Sequence, residues 1–262
     1  AQGGAKLWAA AICLLFALFV QIGTNFANDY FDFVQGADTP ERVGPRRAVA
    51  AGLVAPRTML VATALVLGAA FLVGLLLVRE GGWWLLPVGI VSLVCAVAYT
   101  GGPYPLGYNG LGDLFVFVFF GLVAVTVTFQ VQTGAITAEA VAAGAAIGLL
   151  AANILVANNY RDAETDARAG KRTLVVRFGR RFAVVQYALS HVAALALAPW
   201  LVWRGFGLGA LLPLLLAPWA LRLSIGLAES VEPRQQIALL ASTAKYLAAY
   251  GVLLSAVALL AA

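Results

Sequence analysis

The sequence predicts an all-α protein, a polytopic membrane bundle of eight spanning helices, on three observations. Of its 262 residues, 62% are hydrophobic and only 11% are charged, which lies outside the range of soluble globular domains. Eight apolar runs recur along the chain, most of them near the ~20 residues that a spanning helix needs. Glycine and alanine are abundant and no alternating ten-residue pattern occurs, which favours packed helices over a β-barrel.

The apolar runs are spread over the whole chain, so we expect a single transmembrane domain of residues 1–262. The first run ends in a polar motif and no small-residue cleavage site follows it, so we interpret it as a spanning helix rather than a signal peptide. In chain order the eight runs are Leu7–Phe26, Pro56–Val78, Trp83–Tyr99, Leu114–Val131, Ala140–Ala157, Phe182–Trp203, Leu208–Leu227 and Ile237–Ala262.

Basic residues are distributed unequally between the two sides that these runs define. With the loops numbered alternately, 14 of the 17 lysines and arginines fall on one side, and only Lys6, Arg79 and Arg204 fall on the other. Basic residues are retained on the cytoplasmic face, so the richer side is predicted to be cytoplasmic. Ten of the twelve acidic residues fall there too. Because acidic residues contribute little to topology, chemistry on this face is the natural explanation.

A short motif recurs in the two halves of the chain. The segment ANDYFD (Ala27–Asp32) matches ANNYRD (Ala157–Asp162) at Ala, Asn, Tyr and Asp, and each copy follows an apolar run and precedes a basic loop. Four apolar runs separate the copies, so both reach the same face of the membrane. The pattern predicts two like-oriented repeats around a central cavity.

The polar residues of both motifs have helical spacing. Asn158, Asp162 and Asp166 stand at i, i+4 and i+8, and Asn28 and Asp32 stand at i and i+4. Helices continued through these residues would place each set on one face, and two such faces opposed across a cavity would carry mutually repelling carboxylates. A divalent cation removes the repulsion, and oxygen ligands favour Mg²⁺, with Mn²⁺ as a substitute. Because Mg²⁺ often completes its shell with substrate phosphate, the predicted ligand is a diphosphate.

Basic residues follow each motif closely. Arg46 and Arg47 follow the first copy, and Lys171 and Arg172 follow the second. We predict that these side chains bind the remaining phosphate oxygens of the diphosphate. Ordinary retention of basic residues on the cytoplasmic face is the alternative explanation for each of them.

Three long segments of the chain carry a family resemblance: GTNFANDYFDFVQGADTPERVGPRRAVAAGLV, YTGGPYPLGYNGLGDLFVFVFFG and NNYRDAETDARAGKRTLVVRFG. They resemble the UbiA superfamily of intramembrane prenyltransferases, and within it the 1,4-dihydroxy-2-naphthoate polyprenyltransferases (MenA) of menaquinone biosynthesis. The resemblance implies a Mg²⁺-dependent transfer of a polyprenyl group from polyprenyl diphosphate to 1,4-dihydroxy-2-naphthoate with loss of CO₂. It also implies a multi-pass protein of a bacterial inner membrane whose active site faces the cytoplasm, with membrane lipid and no nucleic acid among its partners.

The resemblance assigns roles to residues of both motifs. It implies that three carboxylates act in catalysis, those of Asp32, Asp162 and Asp166. We also predict a catalytic role for Arg161, which is next to Asp162 and replaces the apolar Phe31 of the first copy. For Arg161 we predict a contact with the carboxylate of the acceptor, the alternative being a pair with Asp162 or phosphate. The residues implied as ligands of the metal or diphosphate are Asn28, Asp29, Asp32, Asn158, Asp162 and Asp166.

The first motif departs from the family's spacing after Asp32. Gly36 stands four residues further on, and the next acid is Asp38. Asp38 therefore reaches the site only if the helix has already unwound, which Gly36 permits.

The segment YTGGPYPLGYNGLGD carries no basic residue although it falls on the predicted cytoplasmic side. Its glycines and prolines exclude regular helix, and its polar and aromatic groups predict a lid over the acceptor. The alternative is a plain connecting or re-entrant loop. The residues that we assign to this acceptor loop are Tyr99, Tyr104, Tyr108, Asn109 and Asp113.

The family that these segments resemble usually has nine spanning helices, so we expect a further helix before Lys6.

Two alternative functions remain: a prenyltransferase for another aromatic acceptor, such as 4-hydroxybenzoate or homogentisate, and a cation-coupled transporter. The acidic motifs lie at the ends of helices and not at mid-depth, which argues against the transporter.

Overall fold

The computed structural model describes residues 6–38, 44 and 47–260. Within these residues the secondary structure is entirely helical, which confirms the predicted all-helical membrane bundle. The helices are α1 Leu7–Val34, α2 Pro56–Gly81, α3 Leu85–Ala98, α4 Gly112–Thr133, α5 Ala138–Arg168, α6 Leu174–Trp203, α7 Leu208–Glu229 and α8 Pro233–Leu260.

The number of long apolar helices differs slightly from the predicted eight spanning helices. Among the described residues, seven helices are long and apolar enough to cross a membrane, and α3 is a shorter apolar helix. Its 14 residues rise about 21 Å at 1.5 Å per residue, which is less than the ~30 Å of the hydrocarbon core. The run Trp83–Tyr99 carries no charged residue, but its first two residues form a turn and Tyr99 begins the next loop. The seven remaining helices make the chain a multi-pass membrane protein.

The chain divides into two compact units. The first unit comprises residues 1–112, 127–135 and 164–172, and α1 packs along α2 within it. Its apolar core is formed by Ala9 and Ile12 of α1, Leu77 of α2, Leu85 of α3 and Val131 of α4. These residues hold α1 in place and so position the motif at its C-terminal end.

The second unit comprises residues 113–126, 136–163 and 173–262. Its core contains three fully buried tyrosines, and two of them use their hydroxyl groups to join helices. The Tyr187 hydroxyl lies 2.7 Å from the Thr243 hydroxyl, and the Tyr250 hydroxyl donates to the Ala194 carbonyl at 2.6 Å. A membrane interior offers no water to such groups, so these bonds link α6 to α8.

Small residues allow α4 and α5 to approach closely within the second unit. A side chain at Gly121 would collide with the backbone of Gly144 and Gly148, and a Cβ atom at Gly148 would lie 2.5 Å from the Phe117 carbonyl oxygen. Glycines four residues apart permit this kind of contact between membrane helices. The contact occurs where α4 widens into a π-helix over Phe117–Val123.

We expect Gly148→Ala to destabilise the protein by about 1–3 kcal/mol, because the added methyl group meets backbone and not a side chain that can move. The measurement is the midpoint of thermal unfolding in detergent. Gly68→Ala is the matched control, since a Cβ atom there has nothing within 4 Å. Equal midpoints for the two variants would contradict the close contact.

Candidate active site

The first motif lies on the last turns of α1, as its spacing predicts. The helix continues to Val34, so Asn28 and Asp32 stand one turn apart on it. The helix then ends because Gly36 adopts a positive φ of 70°, and the Ala37 amide donates to the Asp32 carbonyl at 2.8 Å. The chain has therefore unwound before Asp38, as required for Asp38 to reach the site.

The Asp32 carboxylate is the centre of the first unit's polar cluster, and the residue is only 3% exposed. Its Oδ1 atom accepts a hydrogen bond from the Tyr108 hydroxyl at 2.6 Å and another from Lys171 Nζ at 3.2 Å. Its Oδ2 atom pairs with Arg47 Nη2 at 3.5 Å. Two cations and a phenol thus stabilise one buried carboxylate.

Tyr108 lies in the segment between α3 and α4. Burial raises the pKa of its hydroxyl well above the ordinary value, and the negative charge of Asp32 raises it further. The hydroxyl therefore stays protonated at physiological pH and donates to Asp32. Tyr108 was predicted to belong to the acceptor loop, but its bond to Asp32 could not be predicted, because the two residues are 76 positions apart.

Lys171 joins Asp32 to the last carboxylate of the second motif. Its Nζ atom lies 3.2 Å from Asp32 Oδ1 and 3.9 Å from Asp166 Oδ1, and it also lies over the Tyr108 ring, 4.6 Å from the centroid. Two backbone hydrogen bonds fix the chain at Lys171 and Arg172. The Lys171 amide donates to the Asp166 carbonyl at 2.9 Å, and the Arg172 amide donates to the Tyr108 carbonyl at 2.7 Å.

Two other polar residues of the first motif bond to neighbouring segments. The Asp29 carboxylate accepts hydrogen bonds from the Ala48 and Val49 amides at 2.9 and 3.0 Å, so it anchors the turn that begins after Arg47. The Asn28 Oδ1 atom accepts a bond from the Thr100 hydroxyl at 2.9 Å. The predicted roles of both residues as ligands stay predictions. Thr100 was missed because nothing in its local sequence distinguishes it.

The second motif lies on α5, which continues to Arg168 and so carries all three polar residues on one helix, as predicted. In the second unit, Arg161 Nε and Nη2 donate to the two oxygens of Asp162 at 2.7 and 2.6 Å, and Nη2 also donates to Asn158 Oδ1 at 2.7 Å. The pair is buried, with 2% of the Arg161 side chain and 8% of the Asp162 side chain exposed. Of the alternative contacts predicted for Arg161, the structure shows the pair with Asp162.

The other basic residues predicted to bind phosphate differ in their surroundings. Arg47 contacts Asp32 and also lies 3.9 Å from Asp38. Arg172 is exposed at the surface. Arg46 lies outside the described residues. None of these observations tests contact with a diphosphate, which stays a prediction.

The predicted acceptor loop is non-helical between α3 and α4, as its glycines and prolines indicate. Tyr99 follows the last residue of α3, Tyr104 is 58% exposed, and the Asn109 side chain donates to the Pro105 carbonyl at 2.8 Å. The assignment of Asp113 to this loop is wrong. Asp113 lies in the first turn of α4, in the second unit, where Gln186 Nε2 donates to its carboxylate at 2.9 Å.

The donor set fits a hard divalent cation. Carboxylates of Asp32 and Asp166 already converge on a single positive charge, the Lys171 ammonium. No group of three acidic, histidine or cysteine residues is gathered in the part of the chain that the structure describes. A bound ion would therefore take the rest of its shell from amide oxygens, water and substrate phosphate, which is how Mg²⁺ is commonly held.

A comparison with family models identifies the protein's relatives. The model of the UbiA prenyltransferase family matches residues 1–249. The chain belongs to the UbiA prenyltransferase family. The resemblance found in the sequence is thereby confirmed.

Several members of the UbiA family are similar over long alignments, and each is named 1,4-dihydroxy-2-naphthoate octaprenyltransferase. That of Mycobacterium tuberculosis is 47% identical over 66% of this chain and 59% of its own length. That of Haemophilus influenzae is 38% identical over 78% of this chain and 70% of its own length. That of Bacillus subtilis is 33% identical over 93% of this chain and 79% of its own length. This chain thus spans about three fifths to four fifths of these relatives.

A solved structure shares the fold. It is that of a UbiA homolog from Archaeoglobus fulgidus, bound to DMAPP and Mg²⁺, and it superposes with a TM-score of 0.64 over 96% of this chain and 89% of its own. The two sequences are 16% identical. The likeness supports the helical UbiA fold of this protein.

Proposed function

We propose that this protein transfers a polyprenyl group from polyprenyl diphosphate to 1,4-dihydroxy-2-naphthoate. The C1–O bond of the donor breaks and the diphosphate leaves with the bonding electrons. The ring carbon that bears the carboxylate forms the new C–C bond, and the carboxylate departs as CO₂, returning its electron pair to the ring. The product is demethylmenaquinone in its hydroquinone form, an intermediate of menaquinone biosynthesis.

The observation that carries the proposal is the cluster in which Lys171 lies between the carboxylates of Asp32 and Asp166. It combines oxygen ligands for a metal with cations for a diphosphate, and Arg47 lies within 3.5 Å of the same Asp32. The acceptor is supported by the names of the relatives at 33–47% identity. The metal and the allylic donor are supported by the Mg²⁺ and DMAPP bound to the Archaeoglobus homolog.

Each charged residue has a role in this chemistry. Asp32 and Asp166 hold the metal, with Asp162 and the amides of Asn28 and Asn158 as further proposed ligands. When bound there, Mg²⁺ supplies positive charge that offsets the charge of the departing diphosphate. The Tyr108 hydroxyl, which stays protonated, orients the Asp32 carboxylate.

The basic side chains act on the donor. Lys171 and Arg47 hold diphosphate oxygens as negative charge develops on them, and Arg46 and Arg172 are proposed further contacts. The allylic cation must be kept from water, which would capture it. A site at the membrane surface of an apolar bundle meets that need and leaves the isoprenoid tail in lipid.

Arg161 and the loop of residues 99–111 are the proposed acceptor-side groups. The naphthoate is flat and carries one carboxylate, so it needs an apolar slot and one positive contact. Tyr99, Tyr104 and Asn109 offer aromatic and polar groups for a lid. The third nitrogen of Arg161, Nη1, would contact the acceptor while Nε and Nη2 hold Asp162.

We further propose that the protein works in a bacterial inner membrane with this site facing the cytoplasm. The basis is the retention of 14 of 17 basic residues on one side of the predicted topology. Both proposed substrates carry anionic groups, which enter from the aqueous side.

The test is an assay of purified protein with a polyprenyl diphosphate and Mg²⁺. We expect prenylation of 1,4-dihydroxy-2-naphthoate with release of carboxyl-labelled CO₂, and a rate on 4-hydroxybenzoate lower by at least ~10²-fold, as expected for a site built for a bicyclic carboxylate. EDTA should stop the reaction, and Mg²⁺ or Mn²⁺ should restore it.

The Asp32→Ala protein, prepared in the same way, controls for contaminating activity. Comparable rates on both acceptors would overturn the naphthoate assignment and leave the metal–diphosphate chemistry standing. Full activity in the presence of EDTA would show that the reaction does not require a metal. Cation uptake by liposomes without diphosphate release would favour the transporter instead.

A further inference from the structure

The charge arrangement around Lys171 suggests a role beyond phosphate binding. The Lys171 ammonium contacts both Asp32 and Asp166, two of the proposed metal ligands. Like-charged carboxylates in a buried setting repel one another unless a cation lies between them. We propose that Lys171 is a built-in counter-ion of these two carboxylates, which competes with the divalent metal for them and moves to the diphosphate when metal and donor bind together. This inference rests on the proposed function.

The geometry around Lys171 would allow its ammonium to leave the two carboxylates and be replaced by a metal ion. Lys171 approaches the carboxylates with single contacts of 3.2 and 3.9 Å, and 15% of its side chain is exposed. Lysine is a compact charge on a flexible stem with four methylene groups. The backbone amides at residues 171 and 172 are held by hydrogen bonds, so the ammonium can move while its attachment point stays.

The counter-ion of the second motif provides a contrast. Arg161 binds Asp162 through two short bonds in a fork, and its side chain is 2% exposed. Bidentate pairs of this kind have a fixed geometry and are stronger than single contacts. Arg161 is therefore a permanent partner of Asp162, and Lys171 is the exchangeable cation.

Lys171→Gln should have opposite effects on the binding of Mn²⁺ and of inorganic diphosphate. Lys171→Gln removes a positive charge 3.2 Å from Asp32 Oδ1, so Mn²⁺ alone should bind about 5-fold or more tightly than to the unaltered protein. Inorganic diphosphate in the presence of Mg²⁺ should bind about 5-fold or more weakly, because the residue that receives it is gone. If Lys171 had a purely structural role, the substitution would weaken the binding of both Mn²⁺ and diphosphate.

The experiment measures Mn²⁺ binding by electron paramagnetic resonance and diphosphate binding by calorimetry, on the full chain in detergent. Lys171→Arg keeps the charge and should bind Mn²⁺ like the unaltered protein. Arg57→Gln is the matched control, because it removes one exposed charge of the first unit that has no contact with these carboxylates. Unchanged or weaker Mn²⁺ binding in Lys171→Gln would overturn the proposal.

A second measurement keeps the proposal testable if Lys171→Gln does not fold. The chain has three lysines, Lys6, Lys171 and Lys245, so acylation by an amine reagent can be followed at each by mass spectrometry. Mg²⁺ alone should increase labelling of Lys171 relative to the other two, and added inorganic diphosphate should reduce it again. No response of Lys171 to Mg²⁺ would overturn the proposal. Neither readout requires prenyl transfer, so failure of the counter-ion role and failure of the proposed activity are distinguishable.

Discussion

Replacing Asp32 by alanine is expected to lower the turnover number for prenyl transfer by at least ~10²-fold. The carboxylate is 3% exposed and contacts Tyr108, Lys171 and Arg47, so its loss removes a proposed metal ligand and leaves two cations without their shared partner. Asp162→Ala and Asp166→Ala should have effects of the same order. The measurement is the steady-state rate with purified proteins whose helix content by circular dichroism is unchanged.

Asp38→Ala is the matched control for this prediction. Asp38 is also acidic, and its Oδ2 atom lies 3.9 Å from Arg47 Nε, but it follows the turn at Gly36 and so lies beyond the helical face of the first motif. We expect a milder loss of turnover. An effect equal to that of Asp32→Ala in a folded protein would show that the helical face of the first motif does not define the ligand set.

Replacing Arg161 by alanine is expected to reduce stability by about 3–5 kcal/mol, because it leaves the buried Asp162 carboxylate without its cation. Asn158 loses its bond to the same guanidinium. The thermal unfolding midpoint in detergent measures the effect. It should fall by several degrees, whereas Arg57→Ala, which removes an exposed charge, should leave it nearly unchanged.

A double variant separates the charge effect from lost packing. Arg161→Ala combined with Asp162→Asn removes the uncompensated charge, so it should recover a large part of the lost stability although it cannot restore turnover. If the single and double variants unfolded at the same temperature, packing and not electrostatics would explain the role of Arg161.

Local patterns predicted the parts of the fold that depend on neighbouring residues. Continuous hydropathy predicted the long helices, and the four-residue spacing from Asn158 to Asp166 predicted that α5 would carry the second motif on one helix. The same reasoning overestimated the length of helix α3, because an apolar run does not show at which residue a helix begins or ends. Asp113 was misplaced for a similar reason, since helix α4 begins just before it.

The sequence by itself determined that this is a helical membrane protein with two acidic motifs at helix ends, because hydrophobic length and helical period are local properties of the chain. Only the tertiary structure decided which group neutralises each carboxylate. Lys171 and Asp32 are 139 residues apart, and Asp29 bonds to backbone amides about 20 positions further on. Spacing cannot report such pairs, because buried charges and polar groups are satisfied by whatever the packed helices bring within hydrogen-bonding distance.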